Sequence, residues 1–592
     1  MRPTSTRPYW GANFQALSLF RIGFGAYLIG EFFVNDFNYL RDFYGADGIL
    51  PAWVLVANGK SNFPNFVVPL LTVLEQSPAI ALVQTAYPIF LVGLLIGYKT
   101  RVCNAVAFAV KAYFSARNPY VLSGAESLSC LLLLWSLFLP LDRYWSVDAA
   151  LNPDDRERPW PFLPFLAMRL QIASLYVFAA LFKLQGGPWR DGSALAWALS
   201  DNAYGGTFVG LFLVDRLSPL LYLTTFAISI FQLSFPLLVY CPWYNDATRA
   251  FALAGTAAMH IAFIFCLNVG GFPYLCLAML FLLVPDSWID ALLQGRRARL
   301  QRVAIYYEPA CGFCERISLL LREFLLSPTA AVLPATADSR AMQLLTEHRS
   351  WVIRGSDGSW HLKWRALAYL LKQNPALATF GRLSDMRYFR QAAEKLYDAI
   401  GRKRRQLGPV AKTLLPIRRQ RTLPRLAVVL CGVLAVLALL GNIGTIVEPW
   451  LGKSTALEKL TAWAQVKQRW NLFAPVPTHL RREYRINATL EGGPPIDLMR
   501  LLRVPLIQAT ADGRLVEFPN HRWLKYFSRS EGFSEGDWTA LGAYLCRRLK
   551  EVSMRPVVIK SVEVGTSVEP LPNTTTGTLT SVHRSFDCGL TM

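Results

Sequence analysis

The 592-residue chain has no Gly-rich phosphate loop, no nucleic-acid-binding motif and no internal repeat, and it has a single CxxC, Cys311 to Cys314. The first two absences leave no sequence basis for a phosphate cradle or for nucleic acid as a partner. The missing inverted repeat counts against a transporter. Without a second CxxC, and with His348 and His361 poorly spaced to complete a zinc site, no metal centre is expected. Acidic residues are also scarce, 40 Asp and Glu against 61 Lys and Arg, for a net charge of +21. That excess is local: residues 295–425 hold 25 Lys and Arg against 9 Asp and Glu, which is +16 of the total. Runs such as Arg296-Arg297-Ala298-Arg299 and Arg402-Lys403-Arg404-Arg405 adjoin apolar segments, so contact with anionic headgroups of membrane lipid accounts for them. A cleavable signal peptide is not expected either, because the first apolar segment carries Arg21 and Glu31 and no small-residue cleavage site follows.

What the chain does have is apolar sequence, 53% hydrophobic residues, concentrated in its first 290 positions. Stretches approaching the ~20 residues needed to cross a bilayer predict a polytopic α-helical membrane protein. About nine spans are expected, near 14–34, 79–98, 101–117, 124–140, 165–185, 219–240, 247–267, 271–288 and 424–447; the third, fourth and eighth are short. Short basic loops stay on the cytoplasmic side. Arg2, Arg7, Lys99, Arg101, Arg143, Arg156, Arg158 and the basic 289–423 segment then share one side, with the N-terminus in and the C-terminus out. The expected organisation is a membrane domain (1–290), a small thioredoxin-like α/β cytoplasmic module (300–378), a basic helical connector (379–423) and a last span (424–447). A C-terminal α+β extracytoplasmic domain (450–592) completes it, with a disordered Thr-, Gly- and Pro-rich tail from Pro570 to Thr580.

The CxxC follows an apolar strand, Arg302 to Tyr307, and opens a segment of helical periodicity, Cys314 to Leu326. A thiolate at a helix N-terminus is stabilised by the macrodipole. Cys311 is accordingly predicted to attack and Cys314 to resolve the mixed disulfide. Downstream, residues 351–354, the turn Gly355-Ser356-Asp357-Gly358 and residues 360–363 read as a hairpin followed by a helix. Strand, CxxC, helix, hairpin, helix is a thioredoxin-like order. Tyr307, Cys311, Cys314, Asp357 and Gly358 resemble the signature of the DCC family of thiol-disulfide oxidoreductases over about 75 residues, with Glu308 and Pro309 where that family has Asp and Gly. The resemblance implies dithiol–disulfide exchange with a cytoplasmic thiol reductant.

Ionisable residues inside spans are costly and mark pockets unless they snorkel. Lys111, Glu126, Lys183 and His260 are expected in the outward-facing halves of their helices, where they could line one cavity; Glu126 and Lys111 could instead simply pair. From residues alone Lys183 is either a base, since a desolvated lysine can accept protons near neutral pH, or an anchor ended by Gly186-Gly187-Pro188. His260 is either a pocket residue or a packed core histidine.

Residues 16–25 (Ala-Leu-Ser-Leu-Phe-Arg-Ile-Gly-Phe-Gly), Arg143-Tyr144-Trp145-Ser146-Val147-Asp148, Leu181-Phe182-Lys183-Leu184 with Trp189, and His260 with Gly270, Phe272 and Tyr274 resemble the HTTM family, which includes vitamin K-dependent gamma-carboxylase. The resemblance spans about 14–288 and implies that Lys183 carries base chemistry and that His260 lines the same pocket. Asn118-Pro119-Tyr120-Val121-Leu122 lacks a histidine that the carboxylase has there, and Phe263 replaces an asparagine. These departures count against a gamma-glutamyl carboxylase-type lyase and leave a quinone-like or lipid ligand as the implied cofactor.

Gln468-Arg469-Trp470-Asn471-Leu472-Phe473-Ala474-Pro475 resembles a motif that follows the last span in bacterial members, and Trp470 and Phe473 are expected as interfacial anchors. Cys546 and Cys588 fall on the oxidising side, where a pairing stays open. Of the scattered cysteines, Cys266 and Cys276 form the one candidate relay pair. The leading expectation is a bacterial inner-membrane protein with dithiol-disulfide oxidoreductase activity coupled to a membrane pocket. The alternative is a non-catalytic export or maturation factor for a secreted peptide or protein.

Overall fold

The computed structural model describes residues 14–57, 68–156, 158–201, 204–404, 406–417, 422–477, 480–490, 496–497, 520–552, 559–570 and 580–588. Arg2 and Arg7, on which part of the expected orientation rests, and positions 571–579 of the expected disordered tail lie outside them. Helix α1 (Phe14–Asp36) ends in a wide π turn, and α2 (Ser77–Ile96) starts on Pro78 and stops at Gly97. Gly97 has φ +70°, and a Cβ there would sit 2.3 Å from Ser146 Cβ, so only glycine fits this turn. α3 (Thr100–Arg117) and α4 (Gly124–Ser136) follow, the latter begun by a capping box in which Glu126 accepts from Ser123 N–H at 2.7 Å. Next come α5 (Leu163–Leu184), α6 (Ser218–Tyr240) and α7 (Asn245–Cys266), then α8 (Phe272–Met279) and α9 (Asp286–Leu300).

In the small sheet module, β1 (Ala304–Tyr307) leads into α10 (Gly312–Leu325), β2 (Ala331–Pro334) and α11 (Ser339–His348), then β3 (Val352–Arg354), β4 (Trp360–Leu362) and α12 (Lys363–Gln373). Its sheet runs β2-β1-β3-β4, with β1 and β2 parallel and the other pairs antiparallel. Val303, Ile305, Leu325, Ile353 and Leu370 form its core. The β3–β4 turn is the expected one: Gly358 has φ +83° and Asp357 Oδ1 accepts from Ser359 N–H at 3.1 Å.

The connector forms α13 (Ala378–Ser384), α14 (Arg387–Lys403) and α15 (Leu407–Leu414), and then α16 (Arg425–Leu451) and α17 (Thr455–Trp463). The C-terminal region is mixed, as expected: β5 (Leu480–Leu490), β6 (Ile496–Asp497), α18 (His521–Ser528), α19 (Glu535–Val552), β7 (Ile559–Pro570) and β8 (Thr580–Asp587), in an antiparallel sheet ordered β6-β5-β7-β8. A disulfide joins Cys546 on α19 to Cys588 just past β8, which closes the open pairing. Cys266 and Cys276 are both unbonded.

Among the described residues six helices, α1, α2, α5, α6, α7 and α16, are long and apolar enough to cross a membrane, and seven if the pair Phe272–Leu283 and Ser287–Leu300, bent by 77°, counts as one. The remaining expected spans differ for physical reasons. Helix α3 carries Arg101, Lys111 and Arg117 and buries Asn104, too polar for a lipid-facing span; α4 has only 13 residues. Helices α2, α6 and α16 keep Leu82, Ile89, Leu223, Ile230, Leu237, Leu426 and Val433 exposed, an apolar surface of the kind lipid covers.

Arg21, fully buried on α1, explains how the first helix organises the domain. Its guanidinium donates to the carbonyls of Leu94 (3.1 Å), Leu141 (3.1 Å) and Trp145 (2.6 Å), and also to Leu95, stitching the end of α2 and the 141–145 loop to α1. Near this end the sheet module docks: Trp145 N–H donates to Glu323 of α10 at 2.7 Å, and Arg156 pairs with Glu323 at 2.7 Å. The C-terminal region meets α1 fifteen residues further on, where Asp36 pairs with Arg522 at 2.5 Å. At 1.5 Å per residue Arg21 and Asp36 are about 22 Å apart along the helix.

Candidate functional sites

The first site is the cysteine pair. Cys311 is the N-cap of α10, and its sulfur accepts from the Cys314 N–H at 3.3 Å. The two sulfurs are bonded to each other. A carboxylate oxygen of Glu308 lies with both sulfurs inside a 4.8 Å group, and Arg404 at the C-terminal end of α14 pairs with Glu308 at 2.6 Å. Burial separates the two thiols: Cys311 is 3% exposed, whereas Cys314 is only partly buried.

The second site is a pocket of about 60 Å³ between α5, α6 and α7 that contains both Lys183 and His260. Lys183 is 6% exposed; its ammonium reaches the Ala179 carbonyl at 3.4 Å and stands 4.9 Å from the centre of the Trp189 ring. Among the described residues no carboxylate pairs with it. His260 Nε2 is 3.1 Å from the Tyr176 hydroxyl, while its Nδ1 is buried without a hydrogen-bond partner, as is Gln232 Oε1 on the same pocket wall. Buried polar atoms are normally satisfied, so two such atoms beside a lysine with no carboxylate partner mark this small space as a place for a polar atom of something else.

Lys111 and Glu126 do not join that pocket. Glu126 instead faces Arg522 at 3.4 Å, together with Glu31 at 3.6 Å and Asp36 at 2.5 Å, and Lys111 adds a second cation to the same cluster. Burial alone would lower the Arg522 pKa, but the Asp36, Glu126 and Glu31 carboxylates outweigh it and hold the guanidinium charged. Sequence reasoning missed Arg522 because it arrives from a helix some four to five hundred residues away from its partners.

Next to it, His521 is wedged against Gly270, where an added Cβ would be 2.7 Å from the ring. Burial, and then the Lys525 charge, push its pKa down to about 3, so the imidazole is neutral. His521 lies on the wall of a larger cavity of about 1080 Å³ between the 115–130 stretch, the 453–476 segment and α18, which also presents Lys459, Lys467, Lys525 and Arg529. Arg529 donates to the Leu122 carbonyl at 2.7 Å and Tyr120 donates to Asp537 at 2.7 Å, tying the C-terminal region to the stretch that includes Asn118.

The expected anchors of the 468–475 motif turn inward. Trp470 is 4% exposed and donates to Gln468 Oε1 at 2.8 Å, and Gln468 in turn accepts from Gln171 on α5 at 2.6 Å. The Phe473 carbonyl accepts from Trp189 Nε1 at 2.9 Å. Trp470, Leu472, Phe473 and Phe272 border both cavities, forming the partition between the large one and the Lys183 pocket. Gln468 at the start of the motif was the signal for this inward role, since a lipid anchor has no use for a buried glutamine.

No solved structure matches the chain. Residues 11–288 match the family model of the HTTM domain, and they contain α1 to α8, Lys183 and His260. With these apolar helices and that match, the protein is a multi-pass membrane protein whose N-terminal part is similar to the HTTM domain.

Proposed function

We propose that the protein is a membrane-embedded thiol-disulfide oxidoreductase in which Cys311 and Cys314 form the redox couple and the HTTM domain binds a polar-headed ligand at Lys183 and His260. The observation that carries the first half is the module's sheet, β2-β1-β3-β4 with only β1 and β2 parallel, and a CxxC opening the helix after β1. That arrangement supports a thioredoxin-like reading of the module, in keeping with the DCC resemblance. The module takes its electrons from a cytoplasmic dithiol reductant. Support for opposite faces comes from the 141–156 stretch, which is held to α1 by Arg21 and carries the module through Glu323, while the C-terminal region is held fifteen residues further along α1 at Asp36.

For the membrane pocket, the unpaired ammonium of Lys183 and the open Nδ1 of His260 support an acceptor-bearing ligand, to which Lys183 donates and His260 gives or takes a proton. At about 60 Å³ the inner pocket is far below the ~300 Å³ of a drug-sized site, so the body of a quinone-like or lipid ligand would occupy the 1080 Å³ cavity and reach the lysine past Trp470 and Phe473. Such a group would supply the electron-carrying or lipid chemistry when bound, and Lys183, His260 and Gln232 are the residues placed to meet its polar end.

The decisive test is a redox titration of the full-length protein in glutathione buffers. A reversible two-electron couple, absent in Cys311→Ser and in Cys314→Ser, is expected. Thiols that remain reduced and unreactive would instead favour a non-catalytic maturation factor for a secreted peptide.

A further inference from the structure

We propose that helix α14 of the connector is a membrane-surface helix, which lays an exposed apolar and basic face on the anionic headgroups of the bilayer that the neighbouring helices cross. The proposal does not depend on what the two thiols do.

Helix α14 is divided lengthwise. One face packs on the sheet module: the Tyr397 ring stacks on Trp351 with centres 6.2 Å apart, its hydroxyl lies 3.0 Å from that of Ser350, and Asp398 pairs with Lys363 at 3.2 Å. The other face is left bare. Tyr388 is 86% exposed and Phe389 63%, and Leu396 and Ile400 continue the stripe, also exposed. With 3.6 residues per turn these four fall within a sector of about 120°.

Charge follows the same division. Lys403 falls in the middle of the apolar sector and Lys395 and Arg402 along one edge, whereas both acidic residues of α14, Glu394 and Asp398, lie on the opposite half of the helix. Among the described residues no carboxylate pairs with Lys395, Arg402 or Lys403. A helix that faces only water shows its charges outward and its apolar residues inward. Large apolar side chains sharing one exposed face with unpaired cations suit a lipid interface, where the rings and aliphatic chains sink below the phosphates and the cations meet them.

The place of the connector in the fold supplies the occupant. After α14, helix α15 is fastened to the end of α2 by the Tyr98 hydroxyl, which donates to the Leu414 carbonyl at 2.9 Å, and Val410 and Leu414 stay exposed there. The long apolar helix α16 then starts at Arg425. The connector thus runs between the ends of two helices long and apolar enough to cross a membrane, which is where headgroups lie. A second copy docked symmetrically through this face would set Lys395, Arg402 and Lys403 against like charges, so anionic lipid is the better match. With Arg404 at the end of α14 pairing with Glu308, and Glu323 holding Arg156, the module is secured to the membrane domain at one point and to the bilayer surface at another.

The test places benzoylphenylalanine, a photo-crosslinking residue, at position 396 of the full-length protein. The protein is reconstituted in nanodiscs of phosphatidylcholine alone or of phosphatidylcholine with phosphatidylglycerol, irradiated, and its adducts are identified by mass spectrometry. Each Lys or Arg near an anionic surface adds roughly fivefold to binding. Lipid adducts at position 396 should therefore be at least fivefold more abundant with phosphatidylglycerol, and Lys395→Glu with Lys403→Glu should remove that excess. The same probe at position 394, on the module-facing side, should crosslink within the protein instead. No lipid adduct at 396, equal yields in the two lipids, or a crosslinked dimer overturns the proposal.

Discussion

Arg522 and Lys183 are both buried cations packed into the same helical domain, and they are treated in opposite ways. Arg522 is enclosed by Asp36, Glu31 and Glu126, three carboxylates from two helices. Lys183 has one carbonyl and the face of Trp189. A buried charge that is fully answered by its neighbours serves attachment, here the docking of α18 on α1 and α4. A buried charge left unanswered costs stability, and a fold retains it only where something else supplies the missing partner. The contrast separates the residue that holds the C-terminal region in place from the residue available for chemistry.

The sharpest way to break the contrast is Arg522→Ala, which leaves three carboxylates facing one another in a dry interior. Removing one partner of a buried pair costs about 3–5 kcal/mol, and α18 should release, seen as protease cleavage after residue 530 that the wild type resists. If the C-terminal region stays docked, the cluster is not what holds it. Lys183→Met should act in the other direction, raising resistance to thermal unfolding by roughly 2 kcal/mol because an uncompensated charge is removed, while abolishing binding of any ligand that stabilises the wild type. A destabilised Lys183→Met protein would mean that the lysine is a structural anchor after all.

The smallest effect expected is with pH. His521 has a folded pKa of about 3 against an ordinary 6.5, so the undocked state binds a proton that the docked state refuses. Its contribution to docking is complete above about pH 6.5 and drains away as the pH falls toward 3. At pH 5.5 the loss is about 1.4 kcal/mol. His521→Gln should flatten that part of the pH profile of docking, measured by the same proteolysis; an unchanged slope would assign the pH response to other groups.

Much of this was legible in the chain because it is local. Apolar runs announce α1, α2, α5, α6, α7 and α16, and the alternation before Cys311, the periodicity after it and the Asp357-Gly358 turn announce the β1–α10 unit and its hairpin. Lys183 and His260 do share a pocket, which the HTTM resemblance implied. The rest was hidden because it depends on distant pairing. Glu126 looked like a partner for Lys111 within its own neighbourhood, yet its closest cation is Arg522, almost four hundred residues away. Trp470 looked like an interfacial anchor since hydropathy cannot tell a ring that faces lipid from one that caps Gln468 inside the protein. Helix α3 was read as a span from its apolar residues, although it buries Lys111 and Arg117, and Arg117 pairs with Glu75 at 2.5 Å.

Glu323 has a last implication. The helix that begins at the disulfide is bolted at its far end to Trp145 and Arg156, so the sulfurs do not travel on a swinging arm. On the proposed oxidoreductase reading, electrons must be brought to a fixed station by a diffusing partner, and turnover should therefore rise in proportion to that partner's concentration and be indifferent to the length of the chain between α9 and β1.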